Sequence, residues 1–255
     1  MERLRAQLPF TARVNVPDTV RGAELEIAFA AKDPDATLQQ TERAFSKFVS
    51  AAEAGMLSGD GAPPSESRFH IVSSDRSGRE ARYRCTVRGI DLGGFRVLLN
   101  VAAEISRRVE PLEAVTIWGA AGGQGSSVEE ILHRRYPGRA KVVPFDLILS
   151  EFFFENREPL VRMEFRRQVS DEQFDQIKVM MDAWDYVLSF GGYLDPASRE
   201  GDILPEPGEF YLAEPLVLEH LIYAYQGPEE SFNAVINMAV KLHHSGHRLS
   251  ALEIE

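Results

Sequence analysis

The chain lacks the features that mark secreted or membrane-spanning proteins. Cys85 is the only cysteine among 255 residues, so no disulfide can form within the chain, which excludes a disulfide-stapled secreted domain. No apolar run reaches the roughly 18 residues that a membrane-spanning helix needs. The first ten residues also lack the long apolar core of a signal peptide. These absences predict a soluble, cytoplasmic globular protein that does not bind membranes.

Basic residues are outnumbered by acidic ones. The 28 lysines and arginines are outnumbered by 39 aspartates and glutamates, which gives a net charge of −11. Because nucleic-acid binding depends on basic side chains, this balance argues against a nucleic-acid partner. Residues 1–118 contain equal numbers of acids and bases, so the whole excess lies in 119–255. Such asymmetry favours a surface for a basic partner, although acidic residues that only keep the chain in solution remain an alternative.

The sequence contains an internal repeat. When the chain is shifted along itself so that Gly55 meets Gly191, the segment beginning GAELEIAFAA aligns with the one containing LVRMEFRRQV. A slightly longer shift, which brings Asn100 onto Asn237, aligns GGFRVLLNVAAEI with ESFNAVINMAVKL. Other pairs of identical residues in this second alignment are Phe95 and Phe232, Ala102 and Ala239, Leu112 and Leu249, Ala114 and Ala251, and Ile117 and Ile254. The matched order and spacing predict a duplication.

Each repeat follows the pattern strand–helix–strand–strand–helix–strand. Alternating apolar residues predict strands, and apolar stripes at helical spacing predict helices, including one that begins at Ser170 with a capping box. We expect an α+β fold of duplicated split βαβ units, each with an antiparallel or mixed sheet covered by helices on one face. The predicted parts are a first repeat (1–118), a glycine-rich linker with a short helix (119–140) and a second repeat (141–255), which can form one compact pseudo-dimer.

Two further expectations concern the edges of these sheets. The apolar segment 145–158 is expected to form a hairpin with 160–166 through a turn at 156–159, and residues 11–22 are expected to do the same in the first repeat. Residues 195–214 are expected to form a long acidic loop, with 209–215 as the weakest candidate strand.

Two motifs could carry chemistry, and each has a simpler interpretation. Gly119, Gly122, Gly123 and Gly125 lie between a strand and a helix, but no lysine follows them as a phosphate-binding loop requires, so a linker is favoured. His243, His244 and His247 could ligate a metal, yet the Glu of the zinc-protease motif is missing and Gly246 should end the helix before His247.

The remaining candidate groups also favour a protein without catalysis. Glu219 and His220 are neighbours on a predicted strand and therefore point to opposite faces. Cys85 alternates with Tyr83 and Val87 in a core pattern. We therefore expect no catalytic residue, cofactor or metal. The alternative is a metal- or small-ligand-binding enzyme with a site between the halves, formed by Glu219, His220, His243, His247 and the glycine run.

Acidic residues form the candidate partner-binding set. Four aspartates lie at spacings that suggest one face of the helix that begins after Ser170, and further acids follow in the loop. The expected contacts are Asp171, Asp175, Asp182, Asp185, Glu200, Asp202, Glu206 and Glu209.

The acidic α+β repeat, the absence of a catalytic motif and the aromatic-glycine segment DAWDYVLSFGGYLDP together resemble bacterial polymorphic-toxin immunity proteins. This resemblance implies a bacterial, non-enzymatic inhibitor of a cognate toxin, such as a nuclease. Inhibition would be stoichiometric occlusion of the toxin by the acidic surface.

Overall fold

The computed structural model consists of two similar halves, each with one five-stranded mixed sheet. It describes residues 8–17, 19, 21–59, 62–119, 125–134, 136–150, 158–193, 206–223, 225 and 227–255. The halves do not share a sheet. Within the described residues no helix is both long enough and apolar enough to cross a membrane.

The first half contains five strands and two long helices. In chain order its elements are β1 (Thr11–Asn15), β2 (Ala23–Ala31), α1 (Gln39–Glu53), β3 (Arg68–Ser77), β4 (Glu80–Arg88), α2 (Leu92–Arg108) and β5 (Leu112–Gly119), with a 3-10 turn at Pro64–Glu66 before β3. A short helix, α3 (Val128–His133), follows this half. Ser127 caps α3 through a capping box with Glu130.

The second half repeats this series. Its elements are β6 (Asp146–Leu149), β7 (Leu160–Phe165), α4 (Asp171–Ser189), β8 (Glu206–Glu214), β9 (Val217–Tyr223), α5 (Ser231–His244) and β10 (Leu249–Ile254). The predicted capping box forms at the start of α4, where Ser170 Oγ accepts from the backbone N–H of Gln173.

The strand orders confirm the duplicated α+β fold. The first sheet has the order β1-β5-β2-β4-β3 and the second β6-β10-β7-β9-β8. The two orders match strand for strand, with β6 to β10 in the places of β1 to β5. In the first sheet β4 lies between β2 and β3, and in the second sheet β9 lies between β7 and β8. The two flanking strands are parallel to each other and are joined through a helix, which is the split βαβ arrangement.

The expected edge hairpins are wrong in the described residues. β6 pairs in parallel with β10, and β1 pairs in parallel with β5. Neither strand borders its predicted hairpin partner, because both sides of β7 are occupied by β9 and β10, and both sides of β2 by β4 and β5. Apolar patterning shows that these segments are strands but carries no information on their pairing partner.

The two halves pack through their helices. One face of each sheet is buried, as Leu25, Ile27 and Phe29 illustrate at 2%, 0% and 1% exposure, whereas Trp118 on the other face is 46% exposed. α1 contacts α4 across the boundary between the halves. The helices therefore form the inner layers of the molecule and the sheets form the outer layers.

The repeated asparagine holds the halves together reciprocally. Asn100 Nδ2 on α2 donates to Gly192 O beyond the end of α4, at 2.9 Å. Asn237 Nδ2 on α5 donates to Ser58 O beyond the end of α1, at 3.2 Å. Both asparagines are almost completely buried, so each copy satisfies a backbone carbonyl of the other copy inside the core.

Candidate protein-binding surface

Helix α4 presents part of the predicted acidic face. Its apolar side, with Ile177, Met181 and Trp184, is completely buried. Asp171, Asp175 and Asp182 are exposed. The capped N-terminus also favours Asp171, because acidic groups in the first turn interact well with the helix dipole.

Strand β8 carries the second group of acids. Residues 206–214 were expected to lie in a loop, but they pair with β9 in an antiparallel hairpin, and the weak strand prediction at 209–215 is largely correct. Glu206, Glu209 and Glu214 are exposed on this strand. β8 is the last strand of its sheet, as described, so its acids lie at the edge of the molecule. Glu200 and Asp202 lie outside the described residues.

α4 packs on the inner face of β8, whereas Glu206 and Glu209 pair with Tyr223 and Leu221 and so lie on the outer face of the same edge strand. The rings of Phe174 and Phe210 stack with their centroids 5.3 Å apart. The backbone N–H of Gly208 donates to Asp185 Oδ2 at 3.3 Å. We call Asp171, Asp175, Asp182, Glu206 and Glu209 the acidic surface.

Asp185 corrects the sequence-based expectation, because it is buried at 6% exposure and does not belong to this surface. A spacing of three residues from Asp182 rotates its side chain by about 60° around the helix axis, toward β8. There Asp185 Oδ1 lies 2.8 Å from Nε2 of His220, whose side chain is 1% exposed. Asp185 therefore holds β8 and β9 against α4 and is not available to a partner.

The Asp185–His220 pair was missed at the sequence level, although one signal pointed to it. His220 alternates on β9 with Leu218 and Ile222, which are completely buried, so it had to be a buried polar residue that needs a partner. Close packing reinforces the pair. A Cβ added to Gly208 would lie 2.7 Å from the His220 ring and 2.3 Å from Leu221 O, which only glycine permits.

The carboxylates of the acidic surface lack close ion-pair partners among the described residues, and Lys178 is the one base on α4 near them. None of its five carboxylates forms an ion pair with a described residue within 4.0 Å. Elsewhere acids pair with arginine, as in Glu66 with Arg88 and Glu113 with Arg79, both at 2.9 Å. Three partly exposed apolar side chains lie at the β8–β9 hairpin beside the acids: Tyr211 (40%), Leu212 (47%) and Leu216 (40%).

The side chains proposed for an enzyme site, Glu219, His220, His243 and His247, do not form one cluster. Glu219 lies opposite His220 on the outer face of β9, where it accepts from Tyr211 Oη at 2.8 Å and pairs with Arg162 at 3.3 Å. Burial, and then the positive charge of Arg248, lowers the pKa of His243. His247 lies beyond the end of α5, after Gly246 with its positive φ. No group of three or more His, Cys, Asp or Glu residues in the described ranges is suited to hold a metal.

The remaining predictions on chemistry concern the glycines and Cys85. Gly119 ends β5, and Gly125 packs so closely against Asn15 and Val16 that a Cβ would meet them at 2.4 and 2.7 Å. Gly122 and Gly123 lie outside the described residues. Cys85 is buried, and burial raises the pKa of its thiol to about 12, which keeps it from acting as a thiolate nucleophile near neutral pH.

Comparison with protein-family models and with curated proteins finds no match to this chain.

Proposed function

We propose that this chain is a non-enzymatic binding protein that inhibits a basic protein by covering it with the acidic surface. The observation that carries the proposal is the set of five exposed carboxylates on α4 and β8 that lack an ion-pair partner among the described residues. The Phe174–Phe210 stack and the buried Asp185–His220 pair hold α4 against β8, so both groups of acids belong to one edge of the second half. Clustered like charges repel one another, so their free energy improves when a positively charged surface approaches.

The composition of the region also supports a protein partner. Interfaces between proteins commonly combine a central apolar patch with a polar rim. Tyr211, Leu212 and Leu216 supply exposed apolar side chains at the β8–β9 hairpin, and Glu206 and Glu209 lie on the same strand. A basic partner can bury these side chains while its lysines and arginines approach the carboxylates.

The resemblance to toxin immunity proteins leads to the narrower form of the proposal. The partner is a cognate bacterial toxin that acts in the cytoplasm, and a nuclease fits best, because an enzyme that binds phosphates presents basic residues around its active site. The acidic surface then occupies that region stoichiometrically. No catalytic residue, cofactor or metal of this chain takes part.

Capture of the partner tests the proposal first. The tagged chain, purified from its native cell at low salt, should retain a basic protein that mass spectrometry identifies. Association measured by stopped flow should slow by at least about tenfold as salt rises from about 0.05 M to 1 M, because the Debye length shrinks to about 3 Å. Association at an unchanged rate across this range would refute the role of the acidic surface.

A charge-matched pair of variants separates this surface from net charge. Neutralising all five carboxylates of the acidic surface, to Asn or Gln, should slow association at low salt by at least about tenfold. The control neutralises five acids elsewhere in the second half: Glu164, Glu229, Glu230, Glu253 and Glu255. Equal slowing by both variants would show that only net charge matters.

A further inference from the structure

The duplicated fold creates the same cleft between the halves twice. α1 and α4 correspond in the alignment that brings Gly55 onto Gly191, and these two glycines follow the helices with positive φ values of 82° and 62°. α2 and α5 correspond in the alignment that brings Asn100 onto Asn237. One cleft lies between the end of α4 and the side of α1. The other lies between the end of α1 and the side of α4.

One of these clefts, which we call the filled cleft, is occupied by large side chains at the end of α4. The rings of Tyr186 and Phe190 stack with their centroids 4.6 Å apart, and the Arg43 guanidinium lies 5.5 Å from the centre of the Tyr186 ring. Glu110 accepts hydrogen bonds from the backbone N–H groups of Gln40 and Thr41 at 3.0 Å.

The other cleft, which we call the open cleft, has small residues at the corresponding positions. Ser50, Ala54 and Val179 occur where the filled cleft has Tyr186, Phe190 and Arg43. The result is a cavity of about 490 Å³ whose apolar wall includes Met180 and Leu242. This volume lies within the range of small-molecule sites, roughly 300–1,000 Å³.

The polar groups of the open cleft have also changed in charge. Lys241 and His247 line it at the positions that correspond to Glu104 and Glu110, and Glu53 lines it at the position that corresponds to Ser189. Lys241 Nζ donates to the backbone carbonyl oxygens of Glu53 and, at 2.9 Å, Ser67. These bonds use two of its three N–H groups. No described carboxylate lies within ion-pair distance of this ammonium.

Two further observations point to an anionic ligand. Nδ1 of His247 is buried and has no hydrogen-bond partner among the described residues, although buried polar atoms normally have one. Burial, with a smaller contribution from Arg68 that Glu53 partly opposes, lowers the pKa of Lys241 to about 8. That is the direction expected of an ammonium that has lost water without gaining a carboxylate in direct contact.

We propose that the open cleft binds a small organic anion, a carboxylate with a short apolar body. The carboxylate accepts hydrogen bonds from Lys241 Nζ and His247 Nδ1, and the apolar body lies against Val179, Met180 and Leu242. One ammonium and one imidazole suit a monoanion, whereas phosphate sites usually supply more donors, often from arginine. The proposal does not rest on the proposed function, although Val179 lies between Asp175 and Asp182 of the acidic surface on the same face of α4.

Binding of 3-phenylpropionate tests this proposal, with the neutral 3-phenylpropanamide as the matched probe. In amide NMR spectra, 3-phenylpropionate should cause saturable shifts at residues 50–54, 176–180 and 241–247. The neutral probe should bind at least about tenfold more weakly, since hydrogen bonds to charged groups are the stronger ones. Absence of saturable shifts, shifts centred elsewhere, or equal affinity for both probes would overturn the proposal.

Variants that copy the filled cleft provide the structural control. Ser50→Tyr introduces the residue that the fold already accepts at position 186, and it should abolish binding while the circular dichroism spectrum stays unchanged. Lys241→Gln should weaken binding of 3-phenylpropionate by at least about tenfold and leave the weak binding of the amide unchanged. Tyr186→Ser, in the filled cleft, should have no effect. Undiminished binding by a folded Ser50→Tyr variant would refute the site.

Discussion

Replacing Asp185 with alanine should destabilise the protein far more than its position in an acidic series suggests. The substitution leaves two groups without their acceptor: Nε2 of His220, 2.8 Å from Asp185 Oδ1, and the backbone N–H of Gly208, 3.3 Å from Oδ2. Both side chains of the pair are almost completely buried, so water cannot replace the carboxylate. Each buried donor left without an acceptor costs about 1–3 kcal/mol, so the free energy of unfolding should fall by about 2–6 kcal/mol.

Asp182→Ala is the matched control, because it removes the same side chain from the same helix at an exposed position without an ion-pair partner among the described residues. It should change the free energy of unfolding by less than about 0.5 kcal/mol. Urea denaturation followed by circular dichroism measures both variants, and thermal denaturation should show Asp185→Ala melting about 10 °C lower. Amide hydrogen exchange should also accelerate along β8 first. Equal stabilities of the two variants would refute the inference that this pair holds β8 on α4.

Three further predictions concern other buried polar groups. Asn237→Ala should lower the free energy of unfolding by about 2–4 kcal/mol, because it orphans Ser58 O, Gly138 O and the N–H of Ala140; a loss no larger than that of Asn233→Ala on the same helix would contradict this. Because the folded state lowers the pKa of His243, the unfolded chain takes up a proton there at a higher pH than the folded chain, so the free energy of unfolding should fall as pH drops below about 6.5. The His243→Gln variant should lose less stability than the wild type between pH 7 and 5, and identical slopes would exclude this contribution. Cys85 should react with iodoacetamide at pH 8 only after unfolding, and rapid labelling of the native protein would contradict its burial.

The regular elements and the duplication were predictable because their signals are local. Alternation identified β2 and β7, and the apolar stripe and capping box identified α4. The repeated asparagine was visible as an identity between the copies, and its reciprocal role at the boundary between the halves explains why a polar residue occurs twice in otherwise apolar helix faces.

The pairing of the edge strands was not predictable, because a strand's neighbour depends on the whole sheet. β1 and β6 follow the pattern of any half-buried strand, and only the completed sheet leaves β5 and β10 as their partners. The arrangement of the candidate site was predicted only in part, because it also depends on which strand lies next to α4. Helical spacing placed Asp171, Asp175 and Asp182 together, but whether Asp185 faces solvent or β8 depends on a strand that was expected to be a loop.

Comparison of the two copies shows that folding alone does not require the acidic surface. β3 and β8 occupy the same place at the edge of equivalent sheets, so the fold imposes the same demands on both. β3 nevertheless carries Arg68 and Arg76 with a single acid, whereas the charged residues of β8 are all acidic. In the first half, acids such as Glu66 and Glu113 are neutralised by arginines, and repulsion within the fold is thereby relieved. Since an equivalent edge exists with mixed charge in the same molecule, the uniform charge of β8 is not a requirement of the fold, and the basic partner that we propose would account for it.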